Sequence, residues 1–362
     1  MAPDEAWAGF AAQLVSAATV LERPELDLDD QDRSEGRRFL GQLTRIALRS
    51  LEAPPDPLAP RFVAFGPPDV TYGIPNPDNL YQRAAVDPAC TYRIRGRRNS
   101  VHFLSFGAQA PGVAARPGTA SHLDGTHLSL DKDGSFEIVA SAEPRDGSWL
   151  ELTPKTRTIM VRQTFLDRSV EMAAELEIDC IGGARPTASQ RTVPDAATQL
   201  GRAAQQVVSL AAFWADWVVA FSERADINEM FIVDDATHLA IGGDPEVRTP
   251  LGRWRLGPDE ALVIELHPPV CDYWNVQLAN IWSEPLDAAG PTWLNARSAV
   301  LDAAGGCRVV VAAHDPGVAN WLDSGGHHQG LTTVRWVRAA HHPVPGCRVI
   351  PLTAVRSRAP GT

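Results

Sequence analysis

The chain has 362 residues, 44% of them hydrophobic and 21% charged, a balance that excludes a disordered polymer and leaves room for two cores. Its formal charge of -11 argues against nucleic acid and anionic membrane surfaces as partners, since both demand basic faces. Only two lysines, Lys132 and Lys155, are available for Schiff-base chemistry, and five cysteines without a C-x-x-C pair suggest neither a disulfide framework nor a zinc knuckle.

The N-terminal sequence lacks a basic leader and no stretch approaches the roughly 18 apolar residues of a membrane span, so a cytoplasmic protein is expected. Apolar residues at three-and-four spacing predict a helix over 5–22 through Trp7, Phe10 and Leu14, and a second over 32–51 with Phe39, Leu40, Leu43, Ile46 and Ala47 as its buried stripe. The proline run at 54–57 ends it. Short apolar runs then predict strands at 61–65, 91–94, 101–106, 126–130, 136–140 and 158–165, with Asp124-Gly125 and Asp133-Gly134 as turn signals. A Gly/Pro/Ser/Thr-rich linker is expected over 183–195, a helix over 196–222 and strands from about 230 onward.

Residues 136–144 match 308–316 at a constant offset, Trp149 falls on Trp321 in the same register, and one inserted residue brings Arg162 onto Arg335. The same allowance sets 101–106 against 274–279. Two related antiparallel β units joined by the central helix follow from this. The shared arginines are expected to hold a carboxylate or backbone carbonyls.

The stretch 271–282 is the most informative. With a period of two, Trp274, Val276, Leu278 and Trp282 share one face, interrupted by Asn280, and Tyr273, Asn275, Gln277 and Ile281 share the other. The first face is expected to be core. The second, a phenol and two amides, is expected to form a site wall that holds a polar ligand by neutral hydrogen bonds. A matching recognition row lies at 75–83, where Asn76, Asp78, Asn79, Tyr81 and Arg83 stand between or after two prolines. A third lies at 314–328, a Gly-rich loop carrying His314, Asp315, Trp321, Asp323, His327 and His328. Glu265, inside the apolar run 261–267, faces either the amide row or a buried partner such as Arg335 or Arg253. A weaker constellation, His122 and Asp124 with His238 and Arg248 downstream, has the spacing of a facial-triad iron site. Phosphate-loop, dinucleotide, nucleophile-elbow and H-E-x-x-H motifs are absent.

The segments 76–81, 273–278 and 314–323 resemble those of the bacterial proteins grouped as domain of unknown function 1214, the domain proper covering about 250–350. That resemblance implies paired β sandwiches of jelly-roll type with added helices and transfers no catalytic residue. The expectation is a mainly β protein: a helical region at 1–55, a first sandwich at 56–182, a linker and helix at 183–228, and a second sandwich at 229–362. Its expected function is hydrolase or lyase chemistry on a polar small molecule, sugars among the candidates, without metal or cofactor. Asp78, Glu265, His314 and Asp315 are the acid/base candidates. Asn76, Asn79, Tyr81, Arg83, Tyr273, Asn275, Gln277, Trp321, Asp323, His327 and Arg335 are the binding candidates. A non-catalytic ligand-binding or scaffold protein is the alternative, a non-heme iron oxygenase the remote one, and homo-oligomerisation stays open.

Overall fold

The structure is a computed structural model describing residues 4–52, 56–66, 70–114, 116–183 and 195–355, so most of the expected linker lies outside the described residues. Helix α1 (Glu5–Ala17) begins where the Asp4 carboxylate accepts the N–H groups of Ala6 and Trp7. Helix α2 (Asp30–Glu52) begins at a reciprocal cap: Asp32 donates its N–H to Asp29 Oδ1 at 2.7 Å and Asp29 returns its own to Asp32 Oδ2 at 3.2 Å. The long α3 (Ala196–Arg224) lays Val207, Leu210, Ala211, Trp214, Val218 and Phe221 against both. By length and a mean hydropathy of 1.2, α3 could cross a membrane, contrary to the expectation from sequence, but 50% of that window is buried inside the protein.

Nine strands build the first β unit: β1 (Val63–Ala64), β2 (Asn79–Ala85), β3 (Cys90–Arg97), β4 (Phe103–Pro111), β5 (Pro117–Asp124), β6 (Ser135–Ser141), β7 (Trp149–Glu151), β8 (Thr158–Thr164) and β9 (Glu175–Gly183). They form one sheet in the order β1-β2-β8-β4-β5 and another in the order β7-β6-β3-β9. The second unit comprises β10 (Met230–Ile232), a short α4 (Asp235–Ala240), β11 (Val247–Arg248), β12 (Pro250–Arg255), β13 (Glu260–Leu266), β14 (Tyr273–Ala279), β15 (Trp293–Asn295), β16 (Cys307–Ala312), β17 (Trp321–Asp323), β18 (Gln329–Val337) and β19 (Gly346–Pro351). Its sheets run β10-β12-β18-β14-β15, with β11 also on β18, and β17-β16-β13-β19. Apart from β11, this repeats the first unit strand for strand, including the parallel β6–β7 and β16–β17 pairs among antiparallel neighbours. The chain is thus mainly β, with two double-sheet units and helices at the N-terminus and between them.

Each unit has its own core: Leu104, Phe106 and Ala108 of β4 in the first, Trp274, Val276 and Leu278 of β14 in the second. The other face of β14 is also buried, because the outer faces of the two larger sheets meet, with Phe103, Tyr273 and Val337 packed at the junction. A strand covered on both faces explains why 273–279 reads as nearly unbroken bulk.

Several local expectations are corrected. Opposite Arg162 stands Ser105, and opposite Arg335 stands Asn275, so Phe103 is the counterpart of Tyr273 and the sequence-based register for β4 was three residues off. Residues 126–130 are not a strand, because Asp124 accepts the Thr126 N–H and folds 125–127 into a 3-10 turn, with Gly125 too close to the Leu104 carbonyl for any side chain. Asp124-Gly125 is no hairpin, since β5 and β6 lie in different sheets. Gly134, at φ +80°, makes a tight turn into β6 without joining two strands. Asn76-Pro77-Asp78 forms a turn that leads directly into β2, with Asn76 Oδ1 accepting the Asp78 N–H at 3.0 Å. Trp282 and Ile281 leave the faces assigned to them: β14 ends at Ala279, and Asn280 Oδ1 accepts the N–H groups of Trp282 and Glu284, both at 3.0 Å. That turn sends Trp282 onto Phe39 of α2, ring centroids 5.7 Å apart, so the polar intruder Asn280 is a turn-former.

Candidate functional site

A cavity of about 1060 Å³ lies between the two facing sheets and is closed on one side by α3. Strand β2 contributes Tyr81 and Arg83, β8 contributes Met160 and Arg162, β18 contributes Thr333 and Arg335, and α3 contributes Leu210, Trp214 and Trp217. Seven arginines line it against two carboxylates, Asp56 and Asp244, so the cavity is cationic within an acidic chain. Field focusing in such a concavity selects anions.

Two of these arginines differ from the rest. Arg83 lies over the Phe65 ring at 4.5 Å and Arg116 over Trp214 at 4.4 Å. Arg116 donates to the Ile241 carbonyl at 2.8 Å and its Nε has no partner. Arg83 is exposed at the cavity and Arg116 half-buried; desolvation by the cavity walls pushes both guanidinium pKa values down, that of Arg116 to about 10, and the Tyr72 phenol is the titratable group whose charge either one feels. Both remain charged at neutral pH. Burial raises the Tyr72 pKa, against the pull of the two cations. Among the described residues no carboxylate pairs with Arg83 or Arg116.

Asp244 makes the opposite wall. It accepts a short bond from Ser105, lies 3.4 Å from His122 Nε2 and 3.6 Å from Arg162 Nη1, and its own carbonyl is bonded to His238 Nε2 at 2.9 Å. Burial holds the His238 pKa below its ordinary value. Arg335 donates to Gln277 Oε1 at 2.9 Å, Asn275 Oδ1 at 3.3 Å and the Ile74 carbonyl. Ile74 sits at φ +50°, a left-handed conformation that a β-branched residue adopts only under constraint.

Of the residues expected at a site, Asn76, Asn79, Tyr81, Arg83 and Arg335 line this cavity. The amide row of β14 stands just behind it. Tyr273 donates to Asp78 Oδ2 at 2.6 Å, Asn275 to Asn76 Oδ1 at 3.0 Å and Gln277 to the Pro75 carbonyl at 3.1 Å, so these groups bond protein where a ligand was expected. Asp78 also accepts from Asn295 Nδ2 at 2.8 Å and does not pair with Arg83. Burial raises its pKa, and the Tyr273 and Asn295 bonds pull the other way.

The remaining candidates scatter. Glu265 is on β13, in the sheet remote from β14, and pairs with Arg348 at 3.0 Å on the surface instead of with Arg335 or Arg253. His314 and Asp315 are exposed, the latter capping Gly317 in a turn. Trp321 donates to the Ala312 carbonyl, and Asp323 caps the N–H groups of Gly290 and Gly325. The four acid/base candidates therefore do not converge. Nor does the facial triad: Asp124 faces Arg338, and His122 faces Asp244. Among the described residues the one set with metal-ligand proximity is Asp29, Asp32 and His328, and the α2 cap with a His328 ion pair at 3.0 Å accounts for it. Sequence reasoning missed Tyr72, Arg116 and Asp244 as lining residues. Arg162 alone had a signal, its match to Arg335.

His327 lies on the helical side, bonded to Glu35 Oε1 at 3.0 Å and to the Ser324 carbonyl at 2.8 Å. Burial depresses its pKa, but the Glu35 bond and charge outweigh burial and hold it above its ordinary 6.5. Burial likewise raises Glu35, and the His327 bond and charge, helped by the Asn280 bond and the Arg38 charge, more than reverse this, leaving it below 4.5. The His327 contribution to stability is complete below 6.5 and is lost as pH rises through the folded value; that of Glu35 is present above 4.5 and is lost on acidification. Urea midpoints should therefore fall above pH 6.5 in the wild type and do so less in His327→Gln; parallel pH curves would refute this pair as a stabilising element.

Neither a protein-family description nor a curated protein matches the chain. Among solved structures, a Vibrio parahaemolyticus protein aligns at 11% identity over 90% of this chain and 100% of its own, with a TM-score of 0.48. Salicylate 1,2-dioxygenase from Pseudoaminobacter salicylatoxidans, as its gentisate adduct, aligns at 12% identity over 85% and 78%, with a TM-score of 0.22. Likeness of that degree does not extend to function. The crystal structure of an uncharacterized protein from Burkholderia cenocepacia is of another order, at 40% identity over 97% of this chain and 98% of that one, with a TM-score of 0.87. The chain belongs to the family of that Burkholderia cenocepacia protein.

Proposed function

We propose that the protein binds a small organic anion in the cavity between its two β units, with the acidic group at Arg83 and Arg116 and an apolar body against Trp214, Leu210 and Met160. The observation that carries this reading is the cationic lining of the cavity, seven arginines against two carboxylates, with Arg83 and Arg116 stacked on aromatic rings and without a carboxylate partner among the described residues. A concavity with unbalanced positive charge draws its anionic partner from outside. The resemblance to the domain of unknown function 1214 proteins stays compatible with it, since two of the three segments concerned, 76–81 and 273–278, meet behind the cavity. Turnover is the second reading, favoured by His122 and Asp244 standing 3.4 Å apart at one wall. Hydrolysis or elimination by Asp78, Glu265, His314 and Asp315 loses its support, because those residues lie apart.

Thermal unfolding with aliphatic and aryl acids, neutral sugars and amines tests the reading. Acids at about 100 times their dissociation constant should add about 2.7 kcal/mol of stability. Arg83→Met should abolish that gain while folding normally, since its guanidinium makes no hydrogen bond within the described protein. Stabilisation by sugars alone would overturn the proposal.

A further inference from the structure

We infer that the buried polar strip between α2 and the 280–284 turn is a pH-operated latch on the cavity wall, set by a doubly protonated His327 and released when that ring becomes neutral. Gln31, Glu35 and Gln42 recur along α2 at helical spacing and share one face, which bonds His327, Asn280 and Thr71. Both ring nitrogens of His327 face acceptors, Nδ1 the Ser324 carbonyl at 2.8 Å and Nε2 the Glu35 carboxylate at 3.0 Å. Each acceptor needs a proton from the ring, so this arrangement requires the imidazolium. From Glu35 the bonds run on without a break. Its other oxygen accepts from Asn280 Nδ2 at 2.9 Å, the same amide reaches Glu284 Oε2 at 3.3 Å, and Glu284 Oε1 accepts the Thr71 hydroxyl at 2.9 Å. Thr71 leads into the lining stretch 72–76, where Ile74 gives its N–H to the Ser283 carbonyl at 2.8 Å. Two bonds thus tie the wall to the turn, and Asn280 ties the turn to Glu35 and, through it, to His327.

Loss of one proton breaks this chain at Nε2. The Ser324 carbonyl can only accept, so Nδ1 keeps its proton, whereas the Gln31 amide, 3.0 Å from Nε2, can donate to the bare nitrogen in place of Glu35. Glu35 is then left with Arg38, 3.7 Å away on the solvent side, and turning toward it draws the carboxylate off Asn280. The other charges around the ring are Asp32 of α2, which favours its protonated form, His328, next in the chain and paired with Asp29 at 3.0 Å, Glu284 beyond Asn280, and Arg253, which reaches Asp32 through Gln329. The Glu35 bond and charge, against burial, hold the folded pKa above 6.5, so the latch is fully set below 6.5 and is released as pH rises through the higher folded value. Trp282 Nε1 holds the Asp32 carbonyl in either state, so release loosens the wall locally and leaves α2 in place.

Hydrogen exchange of the full chain at pH 6 and pH 9, corrected for the intrinsic exchange rates, reads the latch in residues 71–76. Protection there is expected to fall at least fivefold across the interval while that of β8 stays constant. His327→Gln should flatten the response, and His328→Gln should leave it as in the wild type. Glu35→Gln, also expected to flatten it, keeps the test decisive should His327→Gln fold poorly. Equal protection of 71–76 at the two pH values in the wild type, a response that persists in either folded variant, or one abolished by His328→Gln would overturn the latch. No ligand is added, so failure of the organic-anion reading would leave each of these outcomes with the same meaning.

Discussion

Trp282→Ala is expected to cost about 3–5 kcal/mol of stability, the range for removing a fully buried indole. The ring is 1% exposed and stacks on Phe39 of α2 at an interplanar angle of 23°. Its Nε1 donates to the Asp32 carbonyl at 2.7 Å, and a Cβ on Gly36 would come within 2.6 Å of its six-membered ring, so no neighbour can be closer without a clash. Trp282 thus pins the first turns of α2 to the end of β14, and its loss leaves a void between helix and sheet that rigid elements cannot fill. Trp282→Phe keeps most of the stacking and forfeits the hydrogen bond, which should cost less, about 1 kcal/mol plus the smaller cavity. Denaturant midpoints measure both; an alanine variant within 1 kcal/mol of wild type, roughly the low end for partial collapse, would mean that α2 is held by something else.

Much of this architecture is legible in the amino-acid sequence because it rests on short periods. Phe39, Leu43 and Ala47 announce the buried stripe of α2, and Trp274, Val276 and Leu278 the core face of β14, before any tertiary contact is known. What cannot be read locally is which polar residues meet. Tyr273, Asn275 and Gln277 stand out as a polar row, but a phenol and two amides are satisfied equally well by a ligand or by Asn76, Asp78 and Pro75, about 200 residues away along the chain. Glu265 shows the converse: an acidic residue in an apolar run looks buried, yet β13 is in the outer sheet and its carboxylate reaches Arg348 at the surface. Arg116 and Tyr72 stand in segments without period or motif. They matter only because α3 brings Trp214 beneath one and Gly73 steers the other.

Arg335→Leu should be destabilising by about 3–5 kcal/mol, because the arginine is the shared donor of a buried acceptor set rather than half of a simple ion pair. Its guanidinium bonds Asn275 and Gln277 on its own sheet and the Ile74 carbonyl on the chain entering the first β unit, so one side chain spans the junction. Leucine would fill much of the volume and leave three oxygens unpaired, each carrying a desolvation penalty of about 1–3 kcal/mol partly relieved by water from the cavity. The strained Ile74, whose N–H is held by the Ser283 carbonyl at 2.8 Å, would lose the contact on its other side and relax from φ +50°. Gly73 and Tyr72 precede it directly and line the cavity with it, so relaxation there displaces the cavity wall. The variant should therefore lose anion binding even where it is still folded. Arg335→Lys separates the two effects. An ammonium preserves the charge but cannot span three acceptors with the planar geometry of a guanidinium, so stability should recover in part and binding little. Equal recovery of both would show that Arg335 acts on the cavity through its charge alone and not through the conformation of Ile74.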